Sequence, residues 1–121
     1  MIYFAHSRQI YNTELEKDLL KFLPKKFGRR NICCPNNDMG ELGSIVPYLH
    51  KVMISDKVVV HQYKDHLGKG AYQEVRRALS EGIPVRIIIP ARFRKYRLKK
   101  VKRAVIVDLK DWKVKYGQAI T

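Results

Sequence analysis

With 121 residues, 45% of them hydrophobic, the chain has the size of one domain and is too apolar to be a disordered one. Its apolar runs, such as Val58-Val59-Val60 and Ile87-Ile88-Ile89, are far too short to cross a bilayer, and the first residues lack the basic and apolar segments of a leader. The formal net charge of +14 calls for polyanionic or phosphorylated partners, and it is concentrated: residues 92–103, RFRKYRLKKVKR, hold eight basic and no acidic residues, against 17 basic and 11 acidic elsewhere.

In chain order, Ile2-Tyr3-Phe4-Ala5 reads as a short buried strand, with Tyr3 and Phe4 in the core. Thr13 and Glu16 have the spacing of a capping box, and Leu15, Leu19, Phe22 and Leu23 follow at helical intervals up to Pro24, which is expected to close that helix. Asn31 to Pro35 reads as a second strand. It carries the only two cysteines, Cys33 and Cys34, which are adjacent and are read as small core residues. A bond between them would close almost no loop, and His6, His50, His61 and His66 show no ligand spacing to them, so neither a disulfide nor a metal site is expected. Their use suits a reducing, intracellular, cytoplasmic setting.

A polar loop is expected over Asn36 to Gly43, then a helix with Ser44 as N-cap, Pro47 in its first turn and Ile45, Leu49, Val52 and Met53 as its stripe. Asp56 to Tyr63 reads as a third strand. The loop Asp65-His66-Leu67-Gly68-Lys69-Gly70 leads into a helix over 71–82 ended by Gly82, with Glu74 in its first turn, where the helix dipole would favour an ionised carboxylate. Pro84 to Pro90 is a fourth strand and Ala104 to Leu109 a fifth. The basic tract between them fits neither a helical nor a strand period through Phe93, Tyr96, Leu98 and Val101.

Strand and helix alternation predicts an α/β domain, doubly wound, with a mostly parallel five-stranded sheet in the order 2-1-3-4-5. The single domain covers residues 1–121: a core over 1–90, the basic tract at 92–103, and a last strand and tail over 104–121. In such a sheet ligands bind outside the carboxyl ends of the strands where the order reverses, here between strands one and three. That places the loop His6-Ser7-Arg8 opposite the glycine loop and Glu74. The hydroxyl and guanidinium of Ser7 and Arg8 suit phosphate oxygens, and Gly68 and Gly70 let backbone approach a ligand.

These segments resemble the nucleoside 2-deoxyribosyltransferase-like family. Ile2-Tyr3-Phe4-Ala5-His6-Ser7 is similar to its opening strand and loop, Ile54-Ser55-Asp56-Lys57-Val58-Val59-Val60 to its third strand, and Gly68-Lys69-Gly70-Ala71-Tyr72-Gln73-Glu74 with Ala78, Gly82, Pro84 and Val85 to its glycine loop, glutamate helix and fourth strand. The resemblance covers residues 1–90 and implies a flavodoxin-like fold. It also implies cleavage or transfer of the N-glycosidic bond of 2′-deoxynucleosides, as a deoxyribosyltransferase or a nucleoside or nucleotide N-glycosidase, without a cofactor. Glu74 matches the family's nucleophile. The family's base-protonating aspartate stands in or just before the glycine loop; here Leu67 and Gly68 occupy that neighbourhood and Asp65 lies slightly earlier. Val75 and Arg76 replace the usual leucine and glycine after the glutamate.

The site expected on this reading is Glu74 and Asp65 for catalysis, with His6, Ser7, Arg8, Gly68 and Gly70 for the nucleoside or nucleotide. Two alternatives use the same fold: a nucleic-acid-binding protein acting through Arg94, Lys95, Lys99 and Lys100 of the basic tract, and a sensor or sequestering protein for a small nucleotide. Nothing in the residues decides whether the chain pairs with a second copy of itself as a homo-oligomer.

Overall fold

The computed structural model describes residues 1–40, 43–62, 67 and 69–101. They form one five-stranded sheet in the order β2-β1-β3-β4-β5. β1 (Ile2–Ala5), β2 (Ile32–Cys33), β3 (Lys57–His61) and β4 (Val85–Pro90) are parallel, and β5 (Tyr96–Val101) lies antiparallel at the edge. The strand order is the predicted one. β1 is flanked by β2 and β3, with Tyr3 in register with Cys33 on one side and Val58 on the other.

Alternation along the strands divides the core into two layers. Tyr3, Ala5, Val58, Val60, Val85 and Ile87 face α3 (Val46–Met53) and α4 (Lys69–Ser80), where they meet Val52, Ala71, Val75, Ala78 and Leu79. Ile2, Phe4, Val59 and Ile88 face α1 (Glu14–Phe27) and its Leu19 and Leu23. Both faces are covered by helices, which is why β1 and β3 read as unbroken apolar runs. No helix among the described residues is long and apolar enough to cross a membrane.

The element boundaries depart from the sequence reading in ways that have local causes. α1 does not stop at Pro24 but continues to Phe27. Proline denies Leu20 its helical donor, yet the extra turn brings Phe27 onto the α1-side core, and Gly28, at φ +84°, terminates the helix by donating its N–H to Pro24 O at 2.8 Å. The segment after Cys34 is not wholly loop: α2 (Pro35–Asp38) is one helical turn, with Pro35 pre-setting its start and Asp38 accepting the Cys34 N–H at 2.7 Å. Ser44 sits one residue before the cap of α3, though its hydroxyl still accepts the Val46 N–H at 3.2 Å.

α4 begins two residues earlier than expected, so Glu74 lies in its second turn, and the first-turn dipole argument for an ionised carboxylate does not apply. Its end follows the expectation. Gly82, at φ +75°, donates to Leu79 O and Ile83 donates to Ala78 O, the paired bonds of a Schellman stop.

The described edge strand is not at 104–109, which lies outside the described residues, but within the basic tract. Its period was illegible because its apolar residues serve both layers. Leu98 lies opposite Ile88 and Tyr96 opposite Pro90 on the α1 side, while Val101 lies opposite Val85 on the other. Tyr96 meets the Phe22 ring edge-on at 5.5 Å, and Leu98 packs on the same cluster. Phe93 is 91% exposed, and the charged side chains at 92, 94, 95, 97, 99 and 100 all reach solvent.

This division yields a contrast. Leu98→Ala should destabilise the fold by about 1–2 kcal/mol, since a half-buried leucine loses only part of a core methyl cluster, whereas Phe93→Ser should stay within about 0.5 kcal/mol of the parent. Urea midpoints measure both, and equal losses would contradict the placement of β5.

Candidate functional site

At the carboxyl edge of the sheet, beside the end of β1, lies a crevice of about 440 Å³. Its wall takes His6, Arg8 and Tyr11 from the segment after β1, Asn36 from α2, Gly40 and residues 43–45 from the crossover to α3, Tyr48 from α3, and Gly70, Ala71, Gln73 and Glu74 from α4. Its position is the strand-order reversal, where open α/β sheets place their ligands.

Glu74 is the chemically unusual residue in that wall. It is 5% exposed and projects from α4 toward β1, where the Tyr3 hydroxyl donates a hydrogen bond to its Oε2. Burial pushes its carboxyl up to about 7, and the Tyr3 bond keeps it from rising further. Tyr3 is core by packing, as expected, but its hydroxyl has a site role. Burial and the adjacent Glu74 raise its own proton affinity far above the usual phenol range, so it remains a donor. Tyr11 stands close enough to feel Glu74, and burial and that charge push its phenol up to about 12.

The opposite side of β1 holds a second polar cluster. The His6 ring stacks on Phe4 at 4.0 Å, and its Nδ1 lies 3.1 Å from Phe4 O and its Nε2 2.6 Å from Glu16 Oε2. Glu16 was expected as the distal half of a capping box. Thr13 does cap α1, accepting the Glu16 N–H at 3.3 Å, but the Glu16 carboxylate turns inward and takes the Asn12 N–H at 3.0 Å and Asn36 Nδ2 at 3.2 Å. Burial works against its charge, yet the bonds from His6, Asn12 and Asn36 hold its carboxyl below the usual range. Burial lowers the proton affinity of His6, with the Glu16 bond opposing. Both cysteines are free and buried; burial pushes the Cys34 thiol up to about 12.

Of the residues expected at the site, the structure brings His6, Arg8, Gly70 and Glu74 onto one wall. Ser7 is buried and off that wall; its hydroxyl accepts the Gln9 N–H and starts a short 3₁₀ turn. Gly70 lies inside α4, where a Cβ would meet only Ile45 Cδ1 at an ordinary 3.8 Å, so an open wall rather than backbone strain is what glycine provides there. Asp65 and Gly68 lie outside the described residues. In the basic tract, Lys95 pairs with Asp18, while Arg94, Lys99 and Lys100 are exposed. Sequence reading missed Tyr3, Tyr11, Glu16, Asn36, Tyr48 and Gln73. The available signal was Tyr3, a hydroxyl in an otherwise apolar buried strand, because a buried phenol needs a partner.

No family model, curated protein or solved structure matches this chain.

The raised Glu74 carboxyl has a consequence for stability. Between about pH 4.5, its ordinary value, and about 7, the folded chain keeps a proton that the unfolded chain has released. Stability from this group therefore falls as pH rises through that window, by an amount on the order of 3 kcal/mol. Glu74→Gln removes this dependence, so the stability of the variant relative to the parent should climb across the window and level off above it. Parallel stability–pH curves for the two proteins would contradict the burial of an ionisable Glu74.

Proposed function

We propose that the crevice binds a nucleoside or nucleotide and that Glu74 attacks the anomeric carbon of a 2′-deoxynucleoside, cleaving or transferring its N-glycosidic bond. The observation that carries this reading is a buried carboxyl on the crevice wall whose only described hydrogen-bond partner is the Tyr3 hydroxyl. Its ionised form can capture an oxocarbenium-like carbon, dividing one difficult displacement into two. In the first, the Glu74 carboxylate forms an ester to C1′ and the base leaves with a proton. In the second, water or another base takes the sugar and the carboxylate is restored. Tyr3 holds one carboxylate oxygen through its hydroxyl and so orients the other.

Further support comes from the wall. Tyr11 and Tyr48 offer aromatic surface for a base, Asn36 and Gln73 offer amide groups for its polar edge, and Arg8 brings a cation suited to a phosphate. The volume suits a ligand of nucleoside size. The resemblance of residues 1–90 to the nucleoside 2-deoxyribosyltransferase-like proteins points the same way. Asp65 is the proposed proton donor to the leaving base, with His6 and Gly68 completing the substrate loops; Ser7, turned off the wall, caps the 3₁₀ turn instead.

A second reading, binding of nucleic acid, is favoured by one observation in the sheet. Arg86 of β4 lies directly opposite Lys100 of β5, and like charges in such a pair repel. Among the described residues no acidic group pairs with either. A polyanion along this edge, contacting Lys99, Lys100 and Arg94, would relieve that repulsion; Lys95 already has Asp18. A nucleotide sensor would use the crevice without turnover.

Chromatographic assay of free base separates these readings. Incubated with the four deoxynucleosides and their monophosphates, the parent should release base or exchange it, and Glu74→Gln should fall to background while keeping its fold. Undiminished release by Glu74→Gln would contradict the nucleophile. No release by the parent, with binding of neutral nucleosides insensitive to salt, would favour the sensor; polynucleotide binding that weakens steeply with salt would favour the basic edge.

A further inference from the structure

We propose that His6, Glu16 and Cys34 form a zinc site whose open coordination position faces the crevice. Spacing along the chain conceals it, because the three residues come from the end of β1, the first turn of α1 and the residue after β2. In the fold one ligand atom of each, a His6 ring nitrogen, a Glu16 carboxylate oxygen and Cys34 Sγ, lie within 4.8 Å of one another, and all three residues are buried.

Nδ1 of His6 faces a carbonyl oxygen, Phe4 O, which can only accept, so Nδ1 carries a hydrogen. Nε2 of the neutral ring then presents a lone pair, and it does so 2.6 Å from a Glu16 oxygen that also has only lone pairs when ionised. Two acceptors cannot stand at that distance without a positive centre between them. In the metal-free chain that centre is one shared proton. A divalent cation fills the same need with a stronger field, and adds Cys34 Sγ as a third donor.

The outer partners of a metal site are already in place. Ligating histidines donate their other ring N–H to a carboxylate or backbone carbonyl, which fixes the tautomer; Phe4 O performs that service here. Ligating carboxylates are themselves hydrogen-bonded. Glu16 Oε1 takes the Asn12 N–H and Asn36 Nδ2, leaving Oε2 for the metal. Cys34 Sγ donates to Asn36 Oδ1 at 3.1 Å and would give up that proton on binding.

The donor set selects the metal. One sulfur, one imidazole nitrogen and one carboxylate suit Zn²⁺ and exclude Mg²⁺ and Ca²⁺, which require oxygen ligands. Bond lengths of about 2.0 Å to nitrogen and oxygen and about 2.3 Å to sulfur need ligand separations of roughly 3.3–3.7 Å, so His6 and Glu16 would part by less than roughly 1 Å. Binding releases two protons, one from the Cys34 thiol and one from the His6–Glu16 pair. The resulting thiolate and carboxylate neutralise the ion. Three protein ligands leave a fourth position for water or substrate, and His6 and Asn36 both belong to the crevice wall. None of the ligands is Glu74, so the site does not depend on the glycosidic reading.

Cobalt(II) titration of the chelator-treated full chain tests this. Expected are one equivalent bound, a near-ultraviolet sulfur-to-cobalt charge-transfer band, tetrahedral-type visible bands, and displacement of both by Zn²⁺. Cys34→Ala and Cys34→Ser should lose the charge-transfer band. Cys33→Ala should keep it, because Cys33 belongs to the α3/α4-side layer. Glu16→Gln should weaken Co²⁺ binding at least roughly tenfold. Absence of the charge-transfer band from the parent at saturating Co²⁺ would overturn the proposal and leave His6 and Glu16 as a structural, proton-sharing pair. So would a band that survives in folded Cys34→Ser. Should the Cys34 variants fail to fold, the parent spectrum decides alone.

Discussion

The bond between Tyr3 and Glu74 is the constraint around which this end of the molecule is organised. Tyr3 lies in the interior strand β1, fully buried, and Glu74 on the inner side of α4, nearly so. The Tyr3 hydroxyl is sealed from solvent, and a buried donor or acceptor left unpaired costs about 1–3 kcal/mol. The bond therefore fixes the rotation of α4 over the sheet. Val75, Ala78 and Leu79 of the same helix turn into the layer that Tyr3, Val58, Val60 and Ile87 build. Once α4 is fixed in this way, its Gly70, Ala71 and Gln73 open onto the crevice.

The other face of β1 repeats the arrangement with different groups. His6 follows the strand and meets Glu16 of α1, and Asn36 from α2 completes the network. Both carboxylates thus reach the carboxyl edge of β1 from opposite layers, one through a phenol and one through an imidazole. Their environments differ in a way that matters for chemistry. Glu16 is held ionised by hydrogen bonds from His6, Asn12 and Asn36, whereas Glu74 has one described donor and titrates near neutral pH. Two carboxyls set apart by their surroundings are a common basis for dividing roles within one site. The division proposed for this chain has Glu74 reacting with the sugar and Glu16 holding structure or metal.

The strand order, the helices between strands and the position of the crevice were legible in the sequence, because short apolar runs bounded by turn residues carry a strong period. Glu74 was legible through its place in the segment after the glycine loop. What was not legible depends on direction rather than spacing. Glu16 at capping-box distance from Thr13 could serve the helix end or the interior, and the nearby imidazole of His6 decided for the interior. Cys34 looked inert because His6 and Glu16 are distant from it in the chain and meet it only in the fold. β5 was hidden because an edge strand with residues in both layers, and lysines or arginines between them, has no single face to report. Pro24 looked like a stop because the gain from seating Phe27 on the core cannot be seen locally.

Whether the crevice beside Glu74 is the ligand site can be decided by a crystal structure of the chain with a 2′-deoxynucleoside or its monophosphate, using Glu74→Gln to stop turnover. The sugar should lie against residue 74 with C1′ facing its side-chain oxygen, the base along Tyr11 or Tyr48, and any phosphate toward Arg8. A nucleoside bound elsewhere on the molecule, or a crevice that stays free of it at saturating concentration, would contradict the assignment of this site.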